Sequence, residues 1–339
     1  MKNKKAFEIQ FNWIFVLIAG AAILILVSFI LFKQKNISES SSYRVALGSI
    51  ESVISGTSVS TDSSSAIEVS NLNIEVGCGR ISVGKISKQY PRLVLFAPSL
   101  IKGSKIIAQT LSFNAPYKSS NMLLMTSQKV MYILIGNSAL TNEINKSLSP
   151  ELNKENLSSY DAAKIKNLNN YKVRFLFDNI NVPSAVPASL AKMPDGDVTA
   201  LKITGNLDKG TLDFYENKGS SFTNKGTSYY IGKPSVIAAI YSDTSEHYDC
   251  NMKNVFAKHE IVAKVYSGRI NNLNGVSSIS ADCKNAYAAA LPILSAIKIS
   301  SNKLANSISE TERNNLAANS EPLKIQNKEA QKFSCPMIY

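Results

Sequence analysis

The chain is short of the residues from which most catalytic centres are built. Its 339 residues include 2 histidines, 1 tryptophan and 4 cysteines, and 25 acidic side chains stand against 37 basic ones. With so little imidazole, a nucleophilic triad would have to draw on His247 or His259, and no Gly-x-Ser-x-Gly elbow is present to carry its serine. A His-Glu-x-x-His helix, a twelve-residue calcium loop and a Cys-x-x-Cys pair are also missing, which removes the common zinc, calcium and dithiol patterns. There is no run of five like charges, so the basic excess is thinly spread and no nucleic-acid partner is expected.

One long hydrophobic run is present, and the other inferences depend on it. Phe11 to Phe32 is 22 residues without an ionisable side chain. As a helix it would reach roughly 33 Å, enough to cross a hydrocarbon core of roughly 30 Å. It reads as one N-terminal transmembrane helix, in contact with membrane lipid. Lys2, Lys4 and Lys5 against Glu8 place residues 1–10 in the cytoplasm, and Phe11 and Trp13 sit at the inner interface. The bulk of the chain is then extracytoplasmic, in a single-pass protein of the cell membrane. A cleaved secretory signal would have a shorter apolar core and a small-x-small site, whereas this run ends Leu31-Phe32-Lys33-Gln34-Lys35. Lys4-Lys5-Ala6 before Phe7-Glu8-Ile9 also resembles the short basic leader of type IV pilins and archaeal class III signal peptides, which implies, as an alternative, a surface filament or secretion component with a processed leader.

Cys78, Cys250, Cys283 and Cys335 all follow the span, and an even number outside the cell implies two disulfides. Setting aside five lysines and one glutamate of the first 35 residues lowers the net charge from +12 to +8. That leaves a soluble basic surface facing anionic lipid, an envelope polymer or a protein partner. Asn36, Asn145 and Asn156 each open a glycosylation triplet.

Residues 33–65 read as a stalk. Its Ser/Thr-rich ends flank Tyr43, Leu47, Ile50 and Ile54, whose spacing predicts a short amphipathic helix. Residues 66–249 read as a mixed α/β ectodomain. Ile67 and Val69 alternate in one phase and Leu72, Ile74 and Val76 in the other, which predicts a strand with a bulge near Ser70 and Asn71. Short apolar runs follow at Leu93–Phe96, Lys105–Phe113 and Met122–Met125. From Val130 the pattern becomes strand then helix. Strands are expected at Val130–Ile135, Val173–Phe177, Val198–Thr204, Leu212–Tyr215, Ser228–Ile231 and Val236–Tyr241, and helices on Leu140, Ile144 and Leu148 and at Ser184–Lys192. Together these predict a mixed sheet with covering helices.

Residues 250–339 predict a C-terminal antiparallel helical hairpin with a disulfide-pinned tail. One stripe runs from Met252 to Leu273 and another from Cys283 to Ile308, with Pro292 as a kink or restart and a short helix opening at Pro322. Cys250 and Cys283 fall at opposite ends of the first helix. Roughly 30 Å apart, they are too far to bond, since a disulfide needs Cα atoms about 4.4–6.8 Å apart. Of the pairings left, Cys250 with Cys335 and Cys78 with Cys283 is favoured here.

The stretch Phe11 to Gly20, the Cys250-Asn251-Met252-Lys253 segment and the closing Cys335-Pro336-Met337-Ile338-Tyr339 resemble a group of uncharacterised membrane-anchored proteins of small-genome archaea. The resemblance implies a single-span anchor and a disulfide-bearing ectodomain. It implies no activity.

Gly79 to Lys85 satisfies Gly-x-x-x-x-Gly-Lys, but Ile86 stands where a phosphate loop needs Ser or Thr, so a turn between strands is expected. Asp243, Glu246, His247 and Asp249 form the densest polar cluster and the one candidate for a divalent cation, although a solvated loop capping the next helix is the favoured reading. His259 lies on an apolar stripe and reads as a hydrogen-bonded core residue. No catalytic residue and no cofactor are assigned. The expected function is a non-catalytic envelope-associated binding or assembly module, with an extracytoplasmic hydrolase using dispersed carboxylates as the enzymatic alternative.

Overall fold

The structure is a computed structural model that describes residues 43–56, 62–166 and 169–339, with Ala21, Leu24, Ile25 and Ser28. The chain divides into two compact units, Met1–Gly48 and Ser49–Tyr339. In the first unit those four isolated residues are helical and exposed. The rest of the expected span 11–32, the tail 1–10 and the first part of the stalk lie outside the described residues. Among the described residues no helix is long and apolar enough to cross a membrane. Helix α1 (43–56) realises the expected amphipathic stretch, with Leu47 and Ile50 buried.

The second unit contains two six-stranded sheets. The first comprises β1 (Ser64–Gly77), β2 (Arg80–Val83), β3 (Ile86–Gln89), β4 (Leu95–Phe96), β5 (Leu100–Asn114) and β6 (Lys118–Ser127), in the order β3-β2-β1-β5-β6-β4. Its pairs are antiparallel except β4 beside β6. The phase change in β1 appears as a register shift between Glu68 and Leu72. The Gly-x-x-x-x-Gly-Lys stretch is hairpin: it spans β2 and the tight turn into β3.

The second sheet comprises β7 (Val130–Ile135), β8 (Asn153–Leu157), β9 (Lys172–Asp178), β10 (Val198–Gly205), β11 (Lys209–Lys218) and β12 (Ser221–Ile231), in the order β12-β11-β10-β9-β7-β8. Strands β8, β7, β9 and β10 are parallel, and β11 and β12 close the far side antiparallel. Helix α2 (Ala139–Ser147) crosses from β7 to β8. Strand β7 is apolar without alternation because both its faces are buried. Val130, Tyr132 and Leu134 enter the main core, and Met131, Ile133 and Ile135 enter a second one with Ile165, Val186 and Leu190. That second face is covered by connecting segments where helices were expected. Ser184–Lys192 holds only a single 3₁₀ turn, Ala188–Leu190, after Pro187, which has no N–H to give a helix.

Val236–Tyr241, expected as a strand, is helix α3 (Lys233–Tyr241). All six of those residues are fully buried, so no polar face marks the helical period, and a short apolar run looks alike in either state. Pro234 in the first turn was the available signal.

The C-terminal region has three long helices, α4 (Ser245–Asn274), α5 (Ala281–Asn306) and α6 (Glu310–Lys332), where a hairpin of two and a short helix opening at Pro322 were expected. Helix α5 runs unbroken through Pro292, because proline and the carbonyl it strands at Ala288 are both exposed, and water can serve that carbonyl. Helix α6 also continues past Pro322, which is half-buried, and its buried apolar side chains are Leu316, Leu323 and Ala330, one in seven, which makes its sequence look polar.

The third helix also corrects the disulfides. Cys78 bonds Cys250 with Cα atoms 6.1 Å apart, and Cys283 bonds Cys335 at 5.6 Å. Helix α4 begins against the first sheet, where Asn251 accepts from the Leu95 amide at 3.1 Å, and this places Cys250 by the β1–β2 turn that carries Cys78. Helix α6 returns alongside α5 and delivers Cys335 to the first turn of α5.

Candidate functional site

The parallel sheet reverses its strand order at β7, with β8 on one side and β9 on the other. Open α/β sheets bind ligands at such a point, beyond the carboxyl ends of the strands, where a helix N-terminus favours an anion. Here the chain fills that place itself. Asp178, the last residue of β9, accepts from Thr141 Oγ1 at 2.6 Å, the Thr141 amide at 3.2 Å, Asn179 Nδ2 at 2.8 Å and the Ser138 hydroxyl. Ser138 in turn caps α2 through the Leu140 and Thr141 amides. Gly136, at φ 139°, permits the close approach, since a Cβ there would lie 2.8 Å from Thr141 Oγ1. The remaining cavity is about 10 Å³, lined by Leu134, Thr141, Ile144, Leu176, Asp178 and Ile203. It has room for one water at most.

A second buried centre lies at the amino end of β9. Lys172 and Arg174 point to the same face of the strand, into the main core. Lys172 Nζ donates to Asp243 Oδ2 at 2.6 Å, with side-chain exposures of 5% and 6%. The same oxygen accepts from the Ser99 amide at 2.9 Å and the Ser99 hydroxyl at 3.0 Å, while Oδ1 has no partner. Arg174 is buried and donates to Thr199 Oγ1 at 3.1 Å and the Ala239 carbonyl at 2.9 Å, over the Phe214 ring at 5.8 Å. Burial alone would raise the Asp243 carboxyl, but the Lys172 and Arg174 charges outweigh it and hold it below the usual range. Burial lowers the Arg174 guanidinium and raises the nearby Asp197 carboxyl. Two buried cations thus share one carboxylate. The sequence carried a readable signal: lysine and arginine at alternate positions of a strand expected to be buried require an internal counter-charge.

The four residues considered for a cation do not converge. Asp243 turns inward to Lys172. Glu246 is exposed, and Asp249 accepts from the Ser228 hydroxyl on β12, its carboxyl raised to about 6 chiefly by burial. His247 is mostly buried, which lowers its imidazole, and its amide is capped by Thr244 at 3.2 Å. Among the described residues no group of three or more His, Cys, Asp or Glu side chains is placed to hold a metal. His259 is a core residue, as expected: Nδ1 lies 2.7 Å from Ser301 Oγ and the ring stacks on Tyr117 with centroids 4.5 Å apart.

Several open grooves mark the surface of the described residues. One of about 580 Å³ is lined by Ile54, Tyr90, Arg92, Val94, Asn121 and Lys258, and one of about 480 Å³ includes Ser63, Ser112, Ser149, Lys146 and Lys233. Neither reaches His247. Of the glycosylation triplets, Asn156 is exposed on the edge strand β8, Asn145 is half-buried in α2, and Asn36 lies outside the described residues. No family model, curated protein or solved structure matches the chain.

Proposed function

We propose that the chain is a membrane-anchored extracytoplasmic protein acting at the envelope by binding or assembly rather than by catalysis. The observation that carries this reading is that Cys78, Cys250, Cys283 and Cys335 are all consumed in two disulfides, a pattern of oxidising compartments. It agrees with the charge-free stretch 11–32 as an anchor in membrane lipid. Support for recognition over catalysis comes from the interior acids and bases, which are turned on each other: Asp178 caps a helix and Asp243 faces Lys172. The partner is an envelope polymer or protein, and the likeness to anchored archaeal proteins belongs to the same proposal.

Topology provides the test. With an epitope placed after Tyr339, external protease on intact cells should remove the epitope and leave the first residues protected. Protection of the epitope until the cells are lysed would overturn the reading. Peptides covering Met1 to Ala6 in the mature protein are expected, and their loss would favour the processed, pilin-like form.

A further inference from the structure

The Lys172–Asp243 contact is short and dry, and its donors are unevenly distributed. Three hydrogen bonds converge on Oδ2, from Lys172 Nζ, Ser99 N and Ser99 Oγ, whereas Oδ1 is buried with none. One oxygen of the carboxylate is thus fixed by donors and the other is free of them. Beside the pair stands Asp197. It immediately precedes Val198, which is in register with Val173, and its carbonyl accepts from the Val173 amide at 2.9 Å. Arg174 completes the surroundings from the same strand.

We propose that Lys172 and Asp243 condense into an intramolecular isopeptide bond, with Ser99, Asp197 and Arg174 assisting the step. The nitrogen lone pair of Lys172 attacks Cγ of Asp243, forming the N–C bond. Negative charge gathers on Oδ2, where the Ser99 amide and hydroxyl already point and the Arg174 guanidinium adds its field. The unpartnered Oδ1 is the leaving oxygen. Two protons of the lysine ammonium end on it, and Asp197, set beside Lys172 by the β9–β10 register, is the carboxyl assigned to relay them. The C–Oδ1 bond breaks and water departs. Ammonium and carboxylate become an amide and one water, with no oxidant, reductant or metal required.

The surroundings favour the product. Keeping two charges out of water is costly, and the amide removes one cation and one anion, so the net charge of the cluster is unchanged and Arg174 alone stays charged. The bond would tie the start of β9 to the entry of α4, a third covalent closure besides the two disulfides.

The test is the mass of the full chain, purified with both disulfides formed and then reduced and denatured for measurement. The expected result is a deficit of about 18 Da, one water. A branched tryptic peptide should join the segment around Lys172 to the one containing Asp243. Lys172→Arg should restore the full sequence mass, and Asp243→Asn should lose about 17 Da instead, since ammonia then leaves. Asp197→Asn should lower the cross-linked fraction at a given time. A disulfide-bonded parent protein that keeps the full mass, as purified and after prolonged incubation at neutral and alkaline pH, overturns the proposal. So does a water loss mapped to any other residue.

Discussion

The sheet region and the helical region are held together by different means. In the second sheet, β7 and β9 bury both faces, and even their charged ends, Lys172 and Asp178, find partners inside the fold. The three C-terminal helices are thin by comparison. Helix α6 gives the core three apolar side chains in 23 residues, and beyond it Cys335 bonds Cys283, Asn327 Oδ1 accepts the Ile338 amide at 2.8 Å, and Tyr287 donates to the Pro336 carbonyl at 2.7 Å. Where apolar burial is dense, charged groups are taken inside and set against one another. Where it is sparse, covalent and tail contacts hold the end in place.

The sharpest break in this contrast should come from the sheet. Asp243→Ala leaves Lys172 and Arg174 buried with no carboxylate to pair with or to condense onto, and should cost at least about 3–5 kcal/mol, seen as a global loss in denaturant unfolding. Replacing Cys283 and Cys335 together by serine removes a closure across 52 residues. The chain-entropy limit is about 4 kcal/mol, and the loss should be local, with faster amide exchange in α6 and little change in β7 and β9. Uniform acceleration throughout would erase the distinction between the regions.

A pH titration sharpens the contrast within the helices. Burial depresses the His259 imidazole to about 4, so the unfolded chain takes up its proton first. Stability should therefore fall as pH drops from about 6.5 to 4, by on the order of 3 kcal/mol at completion, and His259→Phe should flatten that slope. The smallest effect belongs to Ser138→Ala, which removes the α2 cap and one donor to Asp178. About 1 kcal/mol is expected in thermal or denaturant unfolding.

Legibility in the sequence followed the same division. β7 could be read to the residue because its short apolar run is rich in β-branched and aromatic side chains and stops at Gly136, and the bulge in β1 followed from its change of phase. The Ser and Thr caps at Ser138, Thr244, Ser280 and Ser309 went unread, because such residues become caps only once the helix starts are known. Helix α3 was hidden because full burial erased its period, and α6 because so little of it is buried. Missing α6 led directly to the wrong cysteine partners, since nothing else carries Cys335 back to Cys283. At the candidate centres, the cluster from Asp243 to Asp249 was visible as composition, but its dispersal was not. The partners of Asp243, namely Ser99, Lys172 and Arg174, come from separate elements that only the fold brings together.

The cysteines give the most direct measurement. Peptide mapping under non-reducing conditions, on protein taken from its native envelope with thiols blocked at lysis, should recover Cys78 joined to Cys250 and Cys283 joined to Cys335, with no blocked thiol at any of the four. Four blocked thiols on a cytosolic chain would contradict both the fold's covalent closure and the side of the membrane assigned to it.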